Sequence, residues 1–294
     1  MWSSARDILE TGVIQRREKM RANGITAAAF GTIALVVMAG TARADIVANF
    51  TGGNGTTQAD QYAGMAGDGW STAWREASDT DISATVINTS PLNGGGNYLS
   101  VTNNDAGTST SGDCVGRKYT DFGGVVLTTP HTISFDFRLD TPVSQIVGSG
   151  DQLIFVNARG IALGGDNGYG IWTVPVSGAL KWGWRNGGSG VTSTMDVVTG
   201  TVYHFTIDLD PAAHKYEVTI SNGTTSVSSG LVGYRNTTYA YLDYIDFFSK
   251  DVNLPSDPIT FSLDNLRIVP EPATSALLAC VAAVGFLRRR KTSR

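Results

Sequence analysis

The segment GIWTVPVSGALKWGWRN holds three tryptophans, Trp172, Trp182 and Trp184. In an extended strand, residues two apart share a face. Trp182 and Trp184 therefore project together, with Trp172 on the preceding strand across the turn Pro175–Ala179. Flat indoles stack on the apolar faces of sugar rings, and the neighbouring Arg185 and Asn186 bring donors for hydroxyl groups. The same three side chains are also what the core of a β-sandwich would bury. Both readings stand at this level.

Materials for catalysis are scarcer. Glycan hydrolysis takes a pair of carboxylates, one as acid and one as base or nucleophile. Between residues 45 and 272 the glutamates are Glu76, Glu217 and Glu271, far apart in the chain. Asp136 and Asp140 would share one strand face, as would Asp208 and Asp210, and solvated outward aspartates account for both pairs. His131 sits at a strand's start, His204 on an outward face and His214 beside a turn. There is no HExxH, no GxSxG and no Cys/His cluster. The glycine-rich run 164–168 has no lysine and opens no helix, which disfavours phosphate. No catalytic residue, metal ligand or cofactor is assigned. Calcium is the cation that the oxygen-rich positions Asp166/Asn167, Asp208/Asp210, Asp243/Asp246 and Asp264/Asn265 would suit, but no EF-hand or RTX spacing orders them. A hydrolase or lyase working through aspartates is the contrasting reading.

The elements that must position these residues are strands. HTISFDFRL (His131–Leu139) alternates Ile133, Phe135, Phe137 and Leu139 against polar neighbours, and VYHFTIDL (Val202–Leu209) does the same. Lys215–Ile220 follows across a turn at Asp210–Ala213, which makes a hairpin. Further strands are expected at Ile46–Phe50, Ala84–Asn88, Tyr98–Thr102, Gln152–Asn157, Gly170–Val176, Leu180–Arg185, Leu242–Ser249 and Ile259–Val269. In the last, the apolar phase shifts between Leu263 and Leu266, so a bulge is expected at Asp264–Asn265. Thr51–Thr57, Asn93–Asn97, Asn103–Gly112 and Gly164–Gly168 read as loops. Trp70 and Trp74 are placed to cover one end of the assembly. So many antiparallel strands need a closed or doubled sheet to protect their edges, and an all-β, two-sheet antiparallel jelly-roll sandwich satisfies this.

The chain has 294 residues and a net charge of −4, but the charge is unevenly spread. Residues 45–272 hold eleven Lys/Arg against 23 Asp/Glu, a net −12, while both ends are basic. An acidic body argues against nucleic acid as partner. Cys114 is alone in that body, so no internal disulfide is expected. The N-terminus has Arg16, Arg17, Lys19 and Arg21 before the apolar run ITAAAFGTIALVVMAG. Ala42 and Ala44 then stand at the small positions that signal peptidase needs. This is a secretory signal over residues 1–44, with translation starting at Met1 or Met20. At the other end Pro270–Glu271–Pro272 precede a short apolar segment and the basic tail Arg288, Arg289, Arg290 and Lys291. Ala273–Leu287 is shorter than the roughly 20 apolar residues of an upright span. The arginines keep the tail cytoplasmic. The prolines hold the tripeptide extended, outside sheet or helix.

This ordered set, over residues 269–294, resembles the PEP-CTERM sorting signal. The resemblance implies cleavage near Pro270–Pro272 by exosortase, and delivery to the cell surface or extracellular matrix of a Gram-negative-type bacterium. Contact with the membrane would pass only through this segment, anchored transiently at the inner membrane. Within the body (45–268), VYHFTIDLDPAAHKYEVTISN and FSLDNLRIVPEP resemble concanavalin A-like and laminin G-like domains. That implies a lectin-type sandwich, for which exopolysaccharide is the expected partner. The function expected is structural or weakly glycan-binding, without catalysis.

Overall fold

The computed structural model of the protein describes residues 46–48, 50, 57–58, 74–77, 82–88, 92, 96–104, 113–118, 128–149, 152–158, 167–238, 244–250 and 258–270. Alternation in the sequence becomes alternation in burial: along His131–Leu139 and Val202–Asp210 the apolar positions other than Val202 are buried and most polar ones are not. The strands form two antiparallel sheets. The ten-stranded sheet runs β14 (Ser226–Ser228), β13 (Lys215–Ser221), β12 (Val202–Asp210), β7 (His131–Leu139), β17 (Ile259–Pro270), β5 (Tyr98–Asn103), β4 (Ile82–Ile87) and β2 (Thr57–Gln58). To it β1 (Ile46–Ala48) adds beside β17, and β15 (Val232–Gly233) beside β13. The seven-stranded sheet runs β11 (Ser189–Asp196), β10 (Ala179–Asn186), β9 (Asn167–Val176), β8 (Gln152–Ala158), β16 (Tyr244–Lys250), β6 (Asp113–Lys118) and β3 (Arg75–Ala77). Among the described residues there is one short helix, α1 (Val143–Ser149), between β7 and β8. The protein is a two-sheet antiparallel jelly-roll sandwich, and Arg43–Glu271 forms one compact unit.

The core is aromatic. Phe135 stacks on Phe205 with ring centroids 4.8 Å apart, and its edge meets Phe155 and Phe247. Trp182 stands edge-on to Phe137, Tyr203 and Phe205 at 5.0–5.5 Å. Such tilted and T-shaped pairs satisfy the ring quadrupoles while filling the space between the sheets. Trp74 is buried against Phe50 and Phe247, in the core. Trp70 lies outside the described residues.

The expected bulge is present. The β17–β7 register shifts between Asp264 and Arg267, and Asn265 takes a left-handed φ of 52°. The β9–β10 turn is tighter than Pro175–Ala179, since Val176 pairs with Ala179. Ser177 (φ 49°) and Gly178 (φ 84°) make it a two-residue hairpin of the primed kind, matched to strand twist. Three expected loops reach into strands: Thr57 opens β2, Asn103 ends β5, and Gly168 belongs to β9. β2, β3, β6, β11, β14, β15 and α1 have no expected counterpart. A larger correction concerns Pro270, expected outside any sheet. It is the buried last residue of β17, paired with His131. A strand's last position tolerates proline because the missing N–H interrupts no further ladder. Ala42, Ala44, Glu271, Pro272, Arg288, Arg289, Arg290 and Lys291 lie outside the described residues. No helix among the described residues is long and apolar enough to cross a membrane.

Candidate functional site

The strand register separates the three tryptophans. Cα of Trp172 is paired with Gly183, so Trp172 lies on the face opposite to Trp182 and Trp184. Leu180, Trp182 and Trp184 point between the sheets, where Trp182 is 0% and Trp184 6% exposed. Sugar stacking by Trp182 or Trp184 is therefore corrected to core packing: neither indole offers a free face. Trp172 alone is half-buried on the outer face of the seven-stranded sheet.

Four glycines explain how that outer face is built. A Cβ on Gly183 would clash with Val191 O at 2.8 Å and Val174 Cγ2 at 2.9 Å, with Trp172 Cε2 at ordinary contact distance (3.6 Å), and one on Gly190 would stand 3.0 Å from Trp172 Cζ2. Trp172 thus lies over glycines of two strands, and Gly190 is the one whose missing side chain makes room for it. A Cβ on Gly170 would meet Arg185 Cγ at 3.2 Å, so the arginine stem runs over that glycine. Its guanidinium carbon sits 4.8 Å from the Trp172 ring centroid, in cation–π range, and its Nη1 donates to Gly188 O at 3.2 Å. On the same face Asp246 fills the space over Gly116. Glycine inside a strand marks a close approach, and here each one receives a larger neighbour.

The platform is tied to the rest of the fold at one end. Tyr216, from β13 of the other sheet, donates its hydroxyl to Arg185 O at 2.5 Å. Its burial raises the phenol's pKa, so it stays a neutral donor. Gly187 N donates to Gly233 O at 3.0 Å, Gly233 N to Asn186 Oδ1 at 3.2 Å, and Arg235 N to Gly168 O at 3.0 Å. Segment 232–235 is thereby fastened along the tip of the β9–β10–β11 sheet. At the other end, Lys181 and Asp196 neutralise each other at 2.5 Å.

A second polar cluster lies on the outer face of the ten-stranded sheet. His204, Asp136 and Asp264 are cross-strand neighbours on β12, β7 and β17. His204 Nδ1 donates to Asp136 Oδ1 at 2.8 Å, and Asn265 Nδ2, carried by the bulge, donates to Asp136 Oδ2 at 2.8 Å. Asp136 is 4% and Asp264 1% exposed. The expectation of solvated aspartates is thus corrected for Asp136: the bulge folds Asn265 over it. Burial pushes the Asp264 carboxyl up to about 7. The Asn265 N–H bond (2.7 Å) works against this and the Asp136 charge adds to it. Asp140 accepts from Arg138 Nε (2.6 Å) and Ser262 Oγ (2.5 Å). Asp208 accepts from Thr132, and Asp210 accepts from Ala213 N within the expected turn. His131 is buried with Nδ1 2.9 Å from Thr129 O, and burial lowers its pKa. Among the described residues there is no group of three or more His, Cys, Asp or Glu arranged to hold a metal ion.

The glycine shelf and Arg235 went unread in the sequence. WGW and GSG, glycines set inside alternating strands, were the available signal for the shelf. Arg235 had none, because a loop delivers it.

No protein-family model and no curated protein sequence matches the chain. Among solved structures it is similar to a sialidase, at 13% identity and a TM-score of 0.46 over 69% of this chain and 17% of that one. It is also similar to the endo-beta-1,4-glucuronan lyase of the fungus Trichoderma reesei, at 14% identity and TM-score 0.41 over 74% and 94% of the two chains. A third is the catalytic domain of a glycoside hydrolase family 131 protein from Coprinopsis cinerea, at 15% identity and TM-score 0.46 over 64% and 78%. The chain spans less than a fifth of the sialidase's length. TM-scores at this level add nothing to the sheet order described above.

Proposed function

We propose that this protein is an exported, non-catalytic component of the cell surface or matrix that holds polysaccharide through the outer face of its seven-stranded sheet. The observation carrying this reading is the Trp172 platform: a half-buried indole laid over Gly183 and Gly190 with Arg185 against its ring. A ring fixed in this way loses little freedom on stacking, so its contact with an apolar sugar face is not offset by ordering. Holding rather than cutting is favoured because both Asp136 oxygens already accept hydrogen bonds and Asp264 beside it is covered.

Replacing Trp172 by alanine is expected to weaken retention in polysaccharide affinity gels at least about tenfold. Stability should fall by only about 1 kcal/mol, because the indole lies outside the core. Incubation of the full chain with the same polysaccharides should release neither new reducing ends nor unsaturated products. Appearance of either would replace the adhesive reading with the hydrolase or lyase one.

Delivery in this proposal uses signal peptidase after Ala44 and exosortase near Pro270–Glu271–Pro272, with the basic tail stalling export at the inner membrane. Because Pro270 closes β17, a cut on its C-terminal side leaves the sheet whole. The intact mass of the protein recovered from its native envelope is expected to lack both ends. A mass that retains Arg288–Lys291 would overturn the sorting scheme.

A further inference from the structure

Among the described residues, no carboxylate pairs with the positive charge of the Trp172 platform. Arg185 and Arg235 form no ion pair among the described residues: the salt bridges found there join Arg138 to Asp140, Lys181 to Asp196 and His204 to Asp136. The two arginines are close enough to repel. The Arg235 charge, after burial, is the next largest influence lowering the Arg185 pKa, and no carboxylate figures among the groups acting on it. Backbone geometry explains the proximity. Arg235 is pinned to Gly168 by its N–H, and the stem of Arg185 crosses Gly170, two residues further along the same strand. Holding two guanidinium groups together without a counter-ion is costly, and in a body of net charge −12 it runs against the overall field. Arg185 lies against the indole and donates only Nη1, to Gly188 O, so its other N–H groups can face a ligand, and Arg235 is exposed.

The geometry points to a site for a carboxylated sugar, with Trp172 under the ring and Arg185 and Arg235 on the carboxylate. The ligand class is thus an acidic, uronate-bearing polysaccharide. This rests on the adhesive reading above and narrows it. A guanidinium fork matches a carboxylate through paired N–H donors, and such charge-assisted bonds are stronger than those to hydroxyls. One charged partner per sugar also makes binding salt-dependent, which stacking alone is not.

The test compares the full chain, purified in mild detergent, on polygalacturonate and on the same polymer with its carboxyls chemically reduced to alcohols. Binding to polygalacturonate is expected to be at least about tenfold tighter. Arg235→Gln, an exposed change that leaves the platform in place, should remove most of that advantage without altering affinity for the reduced polymer. Arg235→Lys should keep part of it. Equal affinity of the unaltered protein for the two polymers, or an Arg235→Gln variant unchanged on polygalacturonate, would overturn the acidic-sugar inference and leave the adhesive reading intact. Binding to polygalacturonate that survives Trp172→Ala and is matched by dextran sulfate would show bulk charge attraction and also overturn it. Retention on neither polymer by a folded protein would count against both readings.

Discussion

Trp182→Ala is expected to lower the stability of the sandwich by about 3–5 kcal/mol, the range for deleting a buried aromatic from a core that cannot collapse onto the void. The indole is fully buried and touches Phe137, Phe155, Tyr203 and Phe205, residues of both sheets. Close-packed walls of this kind relax little, so most of the lost volume stays as a cavity. For a domain of this size the midpoint of thermal unfolding should drop by about 10 °C. Trp182→Phe is a sharper control. Trp182 Nε1 is buried with no acceptor, so phenylalanine removes a desolvated donor while keeping most of the contact area. Its cost should be about 1 kcal/mol, well below that of alanine. Equal losses for the two variants would mean that the N–H, rather than ring packing, holds the site. A Trp182→Ala protein that melts normally but no longer retains polysaccharide would return this residue to the ligand site.

Asp264 governs the second large effect, on pH dependence. Its carboxyl titrates near 7 in the folded protein against 3.8 as a free group. Between these values the folded chain keeps a proton that the unfolded chain has released, so folding stability falls as pH rises through that window and levels off above it. Burial of the carboxyl is the main physical source; the Asp136 charge on the neighbouring strand adds to it, and the Asn265 N–H bond from the bulge works against it. The contribution should fall by on the order of 2 kcal/mol between about pH 5 and about pH 8. His131 works in the opposite direction: buried with a lowered pKa, it favours the fold above its ordinary value and opposes it as pH falls. The difference between unaltered protein and Asp264→Asn isolates the aspartate. Asparagine can still accept from Asn265 N, so the variant should be the more stable at about pH 8 and lose that advantage towards about pH 5. Denaturant midpoints across this range measure it. A difference that stays constant with pH would mean that Asp264 ionises freely.

Local alternation fixed β7, β12 and β13 almost to the residue, because period-two burial is written directly into side-chain types. The phase slip between Leu263 and Leu266 announced the bulge for the same reason: one extra residue must flip every later side chain. β11 was invisible, since it is an edge strand whose residues are mostly exposed and carry no apolar alternation. β6, with glycine and two basic residues in six positions, has no such pattern either. The export and sorting signals proposed for the chain ends likewise rest on local residue type and order.

What only tertiary structure decided is which side of each strand faces in, and what meets across strands. WGW states that Trp182 and Trp184 share a face; the pairing of Trp172 with Gly183 puts Trp172 on the other, and the packing of the two sheets makes the Trp182–Trp184 face the interior. Asp136 and Asp264 are 128 positions apart, and Arg185 and Arg235 are 50 apart. Their charges meet through cross-strand register in one case and a fastened loop in the other. Periodicity is a property of one segment, whereas a site is a coincidence of several, brought together by the folding of the sheets.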